Sequence, residues 1–107
     1  MPEGPEVKII SDYINQKLHT QRIESIECIS IPYREKYTRL VEEINKLLPQ
    51  KFTLSFCRGK STFIKLGIDT YMAYHLGMTG YWSTIKRKHA HLKIVSGAST
   101  LYFHDTR

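Results

Sequence analysis

From Phe52 to His104 the chain is broken so often that only short alternating runs fit between the breaks. The breaks are Arg58-Gly59-Lys60, Gly67-Ile68-Asp69, the turn from Gly77 to Gly80, the basic stretch Lys86-Arg87-Lys88 and Ser96-Gly97-Ala98. Phe52, Leu54 and Phe56 alternate with Thr53, Ser55 and Cys57, and Thr62, Ile64 and Leu66 share a face opposite Phe63. Further runs cover Thr70 to His75, Tyr81 to Ile85, His89 to Val95 and Thr100 to His104. Period-two runs closed by turn residues at short spacing predict an antiparallel β-sandwich or barrel.

The first half reads differently. Val7, Ile10, Ile14 and Leu18 fall three or four apart, which predicts a helix from Pro5 to about Leu18 with one apolar face. The Ile-rich run Arg22 to Ile31 predicts a strand whose alternation changes frame between Cys28 and Ile29, as a bulge would cause, with Pro32 closing it. Leu40, Val41, Ile44, Leu47 and Leu48 again have helical spacing, and Pro49 stops that segment. The expected fold is α+β and mainly β, an antiparallel sandwich flanked by an N-terminal helix and a second short helix, in one domain of 107 residues. No run of about eighteen apolar residues exists to cross a membrane, and the charged start lacks the apolar core of a secretory signal. The chain is therefore read as intracellular, as a monomer, with Cys28 and Cys57 reduced and too few to cage a metal. Sixteen Lys and Arg against ten Asp and Glu leave a net charge of +6, which suits a polyanionic partner, although many basic proteins bind no nucleic acid.

Chemistry is concentrated at the start, Met1-Pro2-Glu3-Gly4-Pro5-Glu6-Val7. Removal of Met1 turns the Pro2 ring nitrogen into a terminal secondary amine. Such an amine, with a pKa of roughly 8 against about 10.4 for lysine, is far more often unprotonated near neutral pH and can attack carbon. Glu3 and Glu6 place carboxylates beside it, and Pro5 suits a first helical turn. Read without chemistry, the same residues are an ordinary helix start with acids favoured by the helix dipole.

Three other places invite a functional reading. Lys60, following a glycine at a strand end, is either a solvated turn lysine or a side chain aimed into a cleft. Gly59-Lys60-Ser61 is not the end of a phosphate-binding loop, because position 54, where that motif needs glycine, is Leu54. His89 and His91, two apart on an expected strand, should share a face, but two ligands do not make a metal site, so phosphate contact is the better use. Met78, in a glycine-bounded turn, either folds onto the core or stands out as an apolar wedge.

Taken in order, Met-Pro-Glu-Gly-Pro-Glu-Val, Arg58-Gly59-Lys60, His75-Leu76-Gly77-Met78-Thr79-Gly80, and His89-Ala90-His91-Leu92 with Phe103-His104-Asp105-Thr106-Arg107 resemble the N-terminal domain of the formamidopyrimidine-DNA glycosylase/endonuclease VIII family. The resemblance spans the chain. It implies a β-sandwich flanked by the first helix and a bifunctional glycosylase and lyase for oxidised bases, with damaged or abasic DNA as partner. Pro2 would be the nucleophile, Glu3 the acid, Lys60 a proton donor in strand cleavage and Glu6 a positioning group. His89 and Arg58 would contact DNA, with His91 in support, while Met78 and Arg107 would fill the gap left by a flipped nucleotide. Gly4 and the His89-to-Leu92 run lean towards the endonuclease VIII branch. The family's phenylalanine two positions beyond Arg107, its helix-two-turn-helix and its zinc finger are not among these 107 residues, so no cofactor is expected here. The alternative expectation is a catalytically silent DNA-binding or partner-binding module of the same fold.

Overall fold

The computed structural model describes residues 4–58, 61–74, 80–97 and 99–106, without the side chains of residues 4–7 and 74. Its elements run α1 (Gly4–Leu18), β1 (Arg22–Cys28), α2 (Ile31–Asn45), β2 (Gln50–Arg58), β3 (Ser61–Leu66), β4 (Thr70–Tyr74), β5 (Tyr81–Ser83), β6 (Ala90–Ser96) and β7 (Thr100–His104). All the strand pairs are antiparallel, in the order β4-β3-β2-β1-β6-β7-β5. The expected α+β, mainly β architecture is present.

α1 buries the face its spacing predicts. Ile14 and Leu18 are fully buried and Ile10 is half-buried, while Ile9 stays exposed. Burying a side chain of that size stabilises by about 1.5–3 kcal/mol, which fixes the helix on its apolar stripe. These residues join Ile23, Phe52, Ile64, Leu66, Ile94, Leu101 and Phe103 in one core. Because β3 and β7 are not neighbours in the sheet yet share that core, the sheet is folded over on itself as a sandwich.

The fold-over occurs between β1 and β2. Their register holds only for Arg22 with Lys51 and Ile23 with Gln50. Beyond those pairs each strand keeps its outer neighbour and offers backbone groups on the edge where the other strand would be. Two asparagines occupy those edges. Asn15 of α1 accepts from the Ser55 N–H at 2.6 Å and donates to the Ser55 carbonyl at 2.9 Å. Asn45 of α2 does the same to Ile26, accepting from N–H at 2.9 Å and donating to C=O at 2.8 Å. A side-chain amide has the donor and acceptor of a peptide group, so each substitutes for a missing strand partner.

Several boundaries differ from the sequence reading. β1 ends at Cys28, and its irregularity lies between Ile23 and Ser25 rather than at Cys28 and Ile29. Ser30 then caps α2, accepting from the Tyr33 N–H at 3.3 Å, so Pro32 opens a helix instead of closing a strand. α2 therefore begins nine residues before Leu40; Tyr33 and Tyr37 extend the helical spacing of Leu40, Val41 and Ile44 back through its first half, a continuation the sequence reading missed. In β2 a shift between Phe52 and Leu54 breaks the expected alternation, burying Phe52 and Ser55 and turning Leu54 outwards. β5 stops at Ser83, leaving Ile85 exposed, and the strand expected to reach His75 is described to Tyr74.

Replacing either asparagine with alanine leaves a strand N–H and C=O unpaired in a part-buried setting. We expect Asn15→Ala and Asn45→Ala each to lower stability by about 1–3 kcal/mol, measured as a lower urea midpoint at unchanged m-value.

Candidate nucleic-acid interface

Three strands end in one row. β7 pairs with β5 through His104 and Tyr81, and with β6 through His104 and Ala90. The chain enters this row at Tyr81 from the segment containing Met78, enters it again at Ala90 from His89, and leaves it at His104 towards Arg107. Met78 and Arg107 themselves lie outside the described residues, as do Pro2, Glu3 and Lys60 and the side chain of Glu6.

The basic loop before β6 is anchored to the end of β7. The Arg87 N–H donates to His104 Nε2 at 3.2 Å, the Ala90 N–H to the Arg87 carbonyl at 3.3 Å, and the Asp105 N–H to the His89 carbonyl at 3.1 Å. Lys86, Arg87, Lys88 and His89 are all exposed. Among the described residues the ion pairs are Lys8 with Asp12 and Lys46 with Glu43, and neither involves this loop. A fixed backbone with exposed cations is suited to phosphate, where position comes from the main chain and attraction from the side chains.

The two histidines of this stretch do not share a face. His89 precedes β6 and sits in the left-handed region at φ 67°, with its ring exposed. His91 is 6% exposed, and it falls at a register shift between Ala90 and Leu92 that turns it inwards. Its Nε2 lies 2.6 Å from the Asp105 carbonyl and its Nδ1 lies 2.8 Å from Ser30 Oγ. A carbonyl can only accept, so Nε2 carries a proton; Ser30 Oγ, already accepting from the Tyr33 N–H, can donate to Nδ1. The ring also stacks on Tyr33, centroids 4.5 Å apart at 10°. His91 thus ties the start of α2 to the exit of β7, and the expected paired-histidine face is corrected. Among the described residues no three His, Cys, Asp or Glu side chains converge as metal ligands.

The sequence reading missed His104, although it stood inside the quoted motif. It is 1% exposed and stacks on Tyr81 at 4.6 Å and 10°. Because Nε2 accepts the Arg87 N–H, the ring is neutral with its proton on Nδ1. Burial lowers its pKa below the ordinary histidine value, and the neighbouring Arg87 charge adds to this.

α1 and β2 define a second end. Their contacts run in opposite order: the Phe52 N–H donates to the Gln21 carbonyl at 2.9 Å, and Asn15, nearer the start of the helix, clamps Ser55, nearer the end of the strand. The start of α1 and the Arg58 end of β2 therefore lie at the same end of the pair. Pro2 and Glu3 precede the first, and Lys60 follows the second. Arg58 is exposed there, and Cys28 and Cys57 are half-buried free thiols.

All 107 residues match the family model described as the formamidopyrimidine-DNA glycosylase N-terminal domain. The chain belongs to that family. A formamidopyrimidine-DNA glycosylase of Sphingopyxis alaskensis is 31% identical over 111 residues, covering 100% of this chain and 40% of the relative. That of Wolbachia pipientis is 29% identical over 115 residues, covering 100% and 41%. The chain thus spans about two-fifths of the length of these relatives. Among solved structures, MutM in complex with DNA containing carbocyclic 8-oxo-G superimposes with a TM-score of 0.81 at 27% identity, over 99% of this chain and 41% of that one. The Lactococcus lactis enzyme bound non-covalently to DNA containing an AP site gives 0.81 at 25% identity, over 99% and 42%. These relatives carry the formamidopyrimidine name and lend no support to the endonuclease VIII leaning.

His104 makes the stability of this end pH-dependent. With its folded pKa depressed below about 6.5, the unfolded chain binds more protons in the window beneath that value, so stability rises with pH there. The contribution is full above about 6.5 and is lost as pH falls towards the folded pKa. We expect His104→Phe to flatten the change in urea midpoint between pH 7.5 and 5 relative to the parent chain.

Proposed function

We propose that this chain is the nucleophile-bearing domain of a base-excision DNA glycosylase and abasic-site lyase for oxidised bases. The observation that carries the reading is the shared row at Tyr81, His104 and Ala90, which gathers the flanks of Met78, His89 and Arg107 around one anchored basic loop. The relatives' names and the lesions in their DNA complexes point the same way.

In this mechanism the Pro2 nitrogen, freed of Met1, attacks C1′ of the flipped nucleotide. The N–C1′ bond forms, the bond to the base breaks, and Glu3 donates a proton to the sugar ring oxygen as the ring opens to an iminium. The iminium acidifies the C2′ proton; its loss expels the 3′ phosphate, and a second elimination expels the 5′ phosphate. Lys60 assists these proton transfers and Glu6 positions the amine. Arg58 and His89 hold phosphates, His91 supports the strand exit, and Met78 and Arg107 fill the vacated stack.

With Met1 attached, the Pro2 nitrogen is an amide and its lone pair is delocalised. Borohydride should therefore trap an adduct with abasic DNA only from chains beginning at Pro2, scored by mass spectrometry. Glu3→Gln should lose base excision yet keep cleavage of a preformed abasic site. Equal trapping with Met1 retained would remove Pro2 from the mechanism. A chain beginning at Pro2 that binds abasic DNA but gives no adduct would establish the catalytically silent DNA-binding module instead.

A further inference from the structure

The outer face of β2, β3 and β4, away from the core, is rich in aromatic rings and carries charges of one sign. Its cross-strand rows are Leu54-Lys65-Tyr71 and Phe56-Phe63-Ala73, with Arg58 opposite Ser61 beyond them. Phe56 and Phe63 stack at 5.2 Å and 17°, and Tyr71 meets Phe56 edge-on at 6.3 Å and 88°. Ala73 is small and exposed beside Phe63, so it does not roof the rings. The result is an open groove of about 320 Å³ lined by Phe56, Arg58, Phe63 and Tyr71.

The charges around it have one sign. The three strands carry Lys51, Arg58 and Lys65 and no Asp or Glu. Lys65 lies across Tyr71 with its ammonium 5.6 Å from the ring centre, and Tyr71 is 55% exposed. Open aromatic faces flanked by cations have the two attractions that unpaired nucleotides need, stacking for bases and charge for phosphates. Duplex DNA, whose bases are already stacked, can use only the second.

We propose that this face is a binding platform for single-stranded nucleic acid, with a base over the Phe56–Phe63 groove against Tyr71 and phosphates on Lys65 and Arg58. It is separate from the anchored loop of Lys86 to His89 and needs no lesion and no Pro2 amine. It begins two residues before Lys60, so a strand held here runs towards the end where the start of α1 lies.

The test uses the 107-residue chain and an undamaged, fluorescently labelled oligothymidylate, with fluorescence anisotropy read over a salt series. An undamaged duplex of equal length serves as comparison. Tyr71→Leu keeps apolar bulk on an edge strand but removes the ring, and it should weaken oligothymidylate binding about tenfold with duplex binding unchanged. Lys65→Gln should reduce the slope of log affinity against log salt by about 0.7, one phosphate contact to a single strand. Ala73→Glu, which sets a negative charge beside Phe63, should abolish the preference for the single strand. Circular dichroism and urea midpoints establish that each variant is folded. A parent chain with no preference for oligothymidylate over duplex, or a folded Tyr71→Leu that retains parental affinity, would overturn the proposal. Neither result bears on adduct formation at Pro2, which requires an abasic sugar.

Discussion

The parting of β1 from β2 after two residue pairs is the constraint on which the rest of this structure depends. A continuous ladder there would give a flatter sheet with one face bare. Parting instead lets Ile64 and Leu66 of β3 meet Leu101 and Phe103 of β7 in one core, but it strands backbone groups on two inner edges. Asn15 and Asn45 satisfy them, one from each helix. The same bonds orient the helices: α1 is laid antiparallel to β2, and α2 is tied to β1 at Ile26.

The functional geometry follows from that arrangement. Laying α1 against β2 brings the start of the helix and the Arg58 end of the strand together, and these are the ends adjoining Pro2-Glu3 and Lys60 in the chain. At the other group of strands, β7 holds β5 and β6 in register, so three separate stretches of sequence open from a single row. His91 and His104 lie beneath this row as buried fasteners. One joins Ser30 to the Asp105 carbonyl, and the other accepts the Arg87 N–H. Their work is done through the backbone, which leaves the side chains of Lys86, Arg87 and Lys88 exposed.

Much of this was legible before any coordinates. The helical spacing of Ile10, Ile14 and Leu18 and the alternation of Thr62, Ile64 and Leu66 gave the correct buried faces, because each repeats over at least two periods. Irregularities were misread where one residue changes the frame. The shift at Phe52 to Leu54 exposes a leucine and buries a serine, and the shift at His91 sends one histidine inwards while its neighbour but one stays in water. A two-residue spacing cannot reveal an inserted bulge. Ser30-Ile31-Pro32 carried a helix-start signal, and Tyr33 and Tyr37 carried the stripe onwards to Leu40, but only as two rings set among charged residues.

The sequence by itself determined the α+β class, the buried stripe of α1, the positive charge and the family, since all of these rest on residue type and short-range order. Only the tertiary structure decided which polar residues act through the backbone and which remain free for a ligand. Asn15, Asn45, His91 and His104 look no different in sequence from solvated polar residues. Their roles arise because a main-chain N–H or C=O, distant along the chain for each of them, has no strand or helix partner and lies within 3.2 Å of the side chain. Such an unpaired group exists only after the strands have parted and the loops have closed.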